Sequence, residues 1–199
     1  MTVSWTHVGR LWTNGEPFLA VDAGLREAWR GSSDDQFDQV VDLGWQDTGI
    51  AVGTGRAVLV GGDGVVRDDS WIEVLTAQDG SIAVVQASGS RYPDTVADAL
   101  RFPHTDDQVG EVLRVPSGVL ALFSAAVDGA GAHSTPLAPA RPGPVPLRHG
   151  PPSSLRVDPG LLLPVTATSF QLRVRWYTAL DDDACFARWL LTPVRSTHM

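Results

Sequence analysis

The chain has 199 residues, 43% of them hydrophobic, and 15 basic against 23 acidic side chains give it a formal charge of −8. That is enough for one large domain or two small intertwined lobes around a real core, and too apolar for a disordered polymer. The sign of the charge repels phosphate backbones and argues against a nucleic-acid partner.

Every basic residue is Arg. The absence of Lys removes Schiff-base, P-loop, kinase-type and Ser-x-x-Lys chemistry together. Cys185 stands alone, which excludes an intrachain disulfide and a thiolate metal cage. Residues 1–20 lack a basic start followed by an apolar run, and the longest uncharged apolar stretch, Gly118 to Val127, is about half a membrane span. A cytoplasmic protein with no membrane partner is expected.

In chain order, Pro17 to Asp22 reads as a short strand, and Leu25 to Arg30 and Asp35 to Leu43 as short helices. Asp34 or Asp35 is placed to cap the second helix, with Phe37, Val40 and Val41 on its buried side. A meander follows: Thr48 to Gly53, Arg56 to Val60, Trp71 to Ala77 and Ser81 to Ala87 are apolar runs divided by Gly-rich turns, including Gly61-Gly62-Asp63-Gly64 and Asp79-Gly80. Asp94 to Arg101 reads as a helix, with Pro93 before it, Asp94 as N-cap, and Val96, Ala99 and Leu100 on one face.

Val112 to Val115 and Val119 to Ser124 read as strands across Pro116-Ser117-Gly118. Residues 131–160 hold eight of the 14 Pro and read as a long exposed loop. Phe170, Leu172, Val174 and Trp176 alternate with polar residues as a half-buried strand does, Asp181 to Asp183 turn, and Cys185 to Leu191 is the last strand. The expected class is α+β and β-rich: antiparallel meandering sheets with a few short helices in one domain, 1–199, with two similar β lobes conceivable at 1–108 and 109–199.

Asp47-Thr48-Gly49 matches the tripeptide of acid proteases, whose chemistry needs two carboxylates sharing a proton. One copy is present, so a turn is the simpler reading, and a hydrolase using Asp47 is kept as an alternative. Gly53-Thr54-Gly55 lacks a third Gly and a following helix and reads as a hairpin turn, not a phosphate loop. The His residues at 7, 104, 133, 149 and 198 share no metal-ligand spacing, and no cofactor is implied. The acidic clusters Asp34-Asp35 with Asp38 and Asp42, Asp68-Asp69, Asp106-Asp107 and Asp181-Asp182-Asp183 are candidates for partner contact. Trp71 and Trp176 fit strand cores, whereas Trp29 beside Arg30-Gly31 is a candidate exposed anchor.

Several blocks together resemble the immunity protein 21 family of bacterial polymorphic-toxin systems. They are Gly15, Pro17 and Leu19; Ala28, Trp29 and Gly31; Gln36-Phe37-Asp38; Val52 to Leu59 leading into Ser70-Trp71-Ile72; Ser117 to Phe123; and Leu155 to Gly160. Glu16 departs from an expected second Gly, and Phe37 from Tyr. The resemblance implies a non-enzymatic inhibitor that binds a cognate toxin, a basic protein in keeping with this chain's acidity. On that reading Trp29, Asp34, Asp35, Asp38 and Asp42 form the toxin-binding face. A β-rich small-ligand binding module is the other class to weigh.

Overall fold

A computed structural model describes residues 3–44, 46–62, 66, 69–147, 159–181 and 183–194. Trp45, Asp63-Gly64, Asp68, His149, Leu155 to Asp158, Asp182 and His198 lie outside the described residues.

Among the described residues, twelve strands and two α-helices run in the order β1 (Trp5–Asn14), β2 (Phe18–Asp22), a 3-10 helix (Ala23–Ala28), α1 (Gln36–Val41), β3 (Gly49–Val52), β4 (Gly55–Val60), β5 (Asp69–Ala77), β6 (Ile82–Ser88), α2 (Tyr92–Arg101), β7 (Gln108–Arg114), β8 (Val119–Ser124), β9 (Leu137–Pro139), β10 (Gly160–Pro164), β11 (Ser169–Ala179) and β12 (Cys185–Pro193). Strand takes up 49% and helix 13% of the described residues, which is the β-rich α+β class expected. The turns are where Gly marks them. At Asp79-Gly80 the Asp79 carboxylate accepts the Ser81 N–H at 2.9 Å, while Gly80 takes φ +84°, a conformation that a Cβ would strain.

Two six-stranded sheets form, ordered β1-β5-β6-β12-β11-β7 and β3-β4-β2-β8-β10-β9. The strand order of the second six repeats that of the first six. Each half supplies three adjacent strands to each sheet, and the halves meet at two antiparallel pairs, β6 with β12 and β2 with β8. Even the irregularities correspond: β1 is bulged against β5 between His7 and Gly9, and β7 pairs irregularly with β11 where Gln171 gives way to Arg173. The halves are interleaved, because the β1 edge lies against β10 and the β7 edge against β4. One departure breaks the repeat. β9 runs parallel to β10, so the second sheet is mixed.

Hydrophobic layers explain the order. Val8, Leu11, Ile72, Val74 and Val84 from the first sheet meet Phe18, Ala20, Val60, Leu120 and Leu122 from the second between the two sheets. The outer face of the first sheet is covered by α2 through Tyr92, Val96 and Ala99. That of the second is covered by the 3-10 helix, α1 and Trp29. Central strands covered on both faces therefore read as nearly continuous apolar runs, as in β6, where all seven residues are buried and only Gln86 and Ser88 are polar. On β11 buried and half-buried residues alternate, so its outer face is only partly covered.

Several local expectations need correction. The 131–160 region is not simply a long exposed loop. Ala140 donates its N–H to Leu162 O at 2.8 Å, Arg141 to Val8 O at 2.8 Å and Gly143 to His7 O at 3.0 Å, so this segment stitches the edge of one sheet to the edge of the other. A bare edge strand is thereby closed. Asp35 stands at the head of α1 but makes no side-chain cap bond and takes φ 52°, the left-handed region. Val41 is exposed, not buried. Helix α2 begins at Tyr92, so Asp94 lies in its first turn and is not the cap.

Candidate functional site

The acidic segment is held in place from outside. Asp128, itself buried, accepts the N–H groups of Ser32 and Ser33 at 3.0 Å each and the Ser33 hydroxyl. The Ser33 hydroxyl chiefly, with the two N–H groups, keeps the Asp128 carboxyl below its usual range against the opposing effect of burial. Immediately beyond this anchor, Asp34, Asp35, Asp38 and Asp42 are all exposed, as is Asp47. No Arg occurs between Arg30 and Arg56, and none of these five carboxylates forms an ion pair with a described residue.

Trp29 does not belong on that face. It is fully buried, and its indole N–H donates to Ala125 O at 2.9 Å. Gly31 lets the chain pass close by, since a Cβ there would stand 2.3 Å from Ala125 O. Trp29 and Gly31 of the Ala28-Trp29-x-Gly31 motif are thus buried under the second sheet, and the expectation of an exposed anchor is corrected.

Beside the acidic segment lies a cleft of about 560 Å³. The β1–β2 turn supplies Asn14 to Pro17, α1 and its exit supply Phe37, Val40, Val41, Leu43 and Gly44, and Asp47 follows. Leu59, Gly61 and Gly62 come from the end of β4, and Trp176 and Trp189 from β11 and β12. The two indoles meet edge to face, centroids 6.1 Å apart at 85°. Trp176 donates its N–H to Gln108 Oε1 at 2.7 Å. Trp189 is 1% exposed, and its N–H has no acceptor among the described residues. An orphaned buried donor of that kind costs about 1–3 kcal/mol. Two carboxylates line the same cleft. Asp47 accepts the Gly44 N–H at 2.8 Å, and Glu16 accepts the Ser124 hydroxyl at 3.1 Å. No cationic side chain among the described residues lines it.

A second polar cluster sits under the outer face of the first sheet. Glu73 is fully buried, with His7 Nε2 2.7 Å from one carboxylate oxygen. The other oxygen accepts from Arg10 at 2.6 Å and Tyr92 at 2.8 Å. Arg10 in turn stacks on Trp71, 4.0 Å from the ring centroid. Trp71 therefore packs on the outer face of the sheet and not between the sheets. Burial first, then the Glu73 charge and hydrogen bond, push the Tyr92 hydroxyl far above its usual range. His7 also lines a smaller cleft of about 410 Å³ with Trp5, Leu75, Val96, Leu100 and Val145. Both Glu73 oxygens are occupied within the protein, so this cluster reads as a clamp between β1, β5 and α2.

Among the described residues no group of three or more His, Cys, Asp or Glu is placed to hold a metal ion, and no helix is long and apolar enough to cross a membrane. Gly53-Thr54 forms the β3–β4 hairpin turn expected of it. Compared with family models, curated proteins and solved structures, the chain matches none.

Proposed function

We propose that this chain is a non-enzymatic immunity-type protein that captures a basic toxin domain in the cytoplasm. The observation that carries the reading is the segment from Asp34 to Asp47, with five exposed carboxylates, no Arg and no internal ion pair, fixed at its start by Asp128. Unpaired like charges on an ordered segment repel one another in the free protein and are relieved by a partner of opposite sign. Such a face raises the association rate with a basic protein and keeps nucleic acid away. The contact residues are Asp34, Asp35, Asp38 and Asp42, without Trp29.

Co-expression with the product of the adjacent gene tests the proposal directly. A heterocomplex on size exclusion together with rescue of growth supports it. With that partner in hand, Asp34→Arg, Asp38→Arg and Asp42→Arg combined should slow association about tenfold or more at low salt. Unchanged kinetics would remove this face from the reading. A second reading, a small-ligand binding module, is favoured by the cleft of about 560 Å³ beside α1.

A further inference from the structure

We infer that the smaller cleft, between β1, α2 and the 143–145 segment, binds an uncharged aromatic alcohol such as a phenol, with Nδ1 of His7 accepting its hydroxyl proton in a hydrogen bond. Nothing in this rests on toxin capture.

His7 is 8% exposed and lines the cleft. Its Nε2 lies 2.7 Å from a Glu73 oxygen, the one side-chain hydrogen bond that it makes among the described residues. Glu73 already forms an ion pair with Arg10 at 2.6 Å, and a carboxylate can only accept. The proton of the His7–Glu73 bond therefore sits on Nε2, and in the neutral ring Nδ1 is left as an acceptor. Arg10 and Tyr92, on the other Glu73 oxygen, hold the carboxylate that orients the imidazole. Nδ1 is not among the fully buried polar atoms left without a partner, so it keeps accessible surface, and the cleft is the opening that its side chain lines. A nearly buried acceptor without a protein partner, at the wall of a cleft, is a polar group that fixes a ligand's orientation.

The walls set the rest of the description. Trp5, Leu75, Val96, Leu100 and Val145 offer apolar surface, and no Asp, Glu or Arg lines the cleft among the described residues. A charged molecule would lose its water there without gaining a counter-ion. A molecule that can only accept would set its lone pair against that of Nδ1. A volume of about 410 Å³ is that of a small-molecule site.

The probe is p-cresol, which has one ring and one donor, with 4-methylanisole as its counterpart lacking the donor. The readout is the imidazole region of a long-range ¹H–¹⁵N spectrum, where His7→Gln identifies the His7 signals. The free protein should show His7 with its proton on Nε2. Cresol should move the Nδ1 signal upfield and saturably, and 4-methylanisole should bind about tenfold more weakly. Ala97→Trp, at a half-buried cleft position on α2 away from Glu73, should fill the site and weaken cresol at least tenfold. That variant keeps the test open even where His7→Gln does not fold. A proton found on Nδ1 in the free protein overturns the inference. An Nδ1 signal unmoved at millimolar cresol, or equal binding of cresol and 4-methylanisole, overturns it as well.

Discussion

Arg188 donates from Nη2 to Asp107 Oδ2 at 2.9 Å beneath the end of α2, and from Nη1 to the carbonyls of Ala99 and Phe102 at 2.6 and 3.0 Å. One buried guanidinium thus satisfies the last carbonyls of a helix, its charge balanced by a carboxylate from the loop that follows. Arg175 completes the pair by donating to the other Asp107 oxygen at 2.8 Å.

Removing the carboxylate strands a buried cation, so Asp107→Ala should cost about 3–5 kcal/mol in urea unfolding. The wild type should also show this charge in its acid limb. Burial alone would push the Asp107 carboxyl up, but Arg188 in particular, with His104 and Arg175, overrides it and holds it below the usual range. Its stabilisation is complete above the unfolded value of about 3.9 and is lost as pH falls through the lower folded value. Urea midpoints measured from pH 7 to pH 2.5 should therefore drop less steeply for Asp107→Asn than for the wild type.

Tyr92→Phe deletes one of the bonds to buried Glu73 while His7 and Arg10 remain, and should cost about 1.5 kcal/mol. Because the folded Tyr92 hydroxyl titrates far above its unfolded value of about 10, its stabilisation is present below that value and fades as pH rises beyond it. Absorbance at 295 nm should show equal tyrosinate formation in wild type and Tyr92→Phe up to the pH of alkaline unfolding. An extra tyrosinate in the folded wild type would refute the burial argument.

Trp29→Ala should lower stability by about 3–5 kcal/mol, as expected for emptying a large core site. The combined charge reversal at Asp34, Asp38 and Asp42 should leave the urea midpoint unchanged or raise it slightly, since exposed like charges repel. Measured side by side, the two variants separate a packing residue from a surface residue.

The stitch between the sheets rests on main-chain donors. Arg141→Pro removes the N–H that reaches Val8 O and should cost about 1–3 kcal/mol, whereas Arg141→Ala keeps it and should be nearly neutral. Faster amide exchange along β1 in the Pro variant would locate the damage.

Most strands were legible because their apolar runs or alternations follow directly from coverage on two faces or one. β1 was not, because its bulge between His7 and Gly9 shifts the period midway, so Val8 and Leu11 face the core three positions apart. β9 and β10 were hidden among prolines and held by pairing between distant segments. The exposure of Asp34, Asp35, Asp38 and Asp42 was readable from their composition, but Asp107, a candidate for partner contact on the same grounds, is buried and paired with Arg175 and Arg188. Trp29 was misplaced because its position follows from a carbonyl at Ala125, nearly a hundred residues away. The cleft had no local signature, since its walls come from five separate stretches of chain. Glu73 and Arg188 did leave one signal: each is the single charge inside an otherwise apolar strand core.

The pairing of β6 with β12 also bears on how the protein is made. β12 is the last described strand, yet it belongs in the middle of its sheet, against a partner that leaves the ribosome about a hundred residues earlier. At ordinary rates of synthesis that interval is on the order of ten seconds. Throughout it one flank of β6 stays unpaired and its outer face lacks the β12 residues Phe186 and Leu190. Until β12 emerges the flank of β6 is an open edge, and a truncation that removes only β12 leaves the first sheet divided in two.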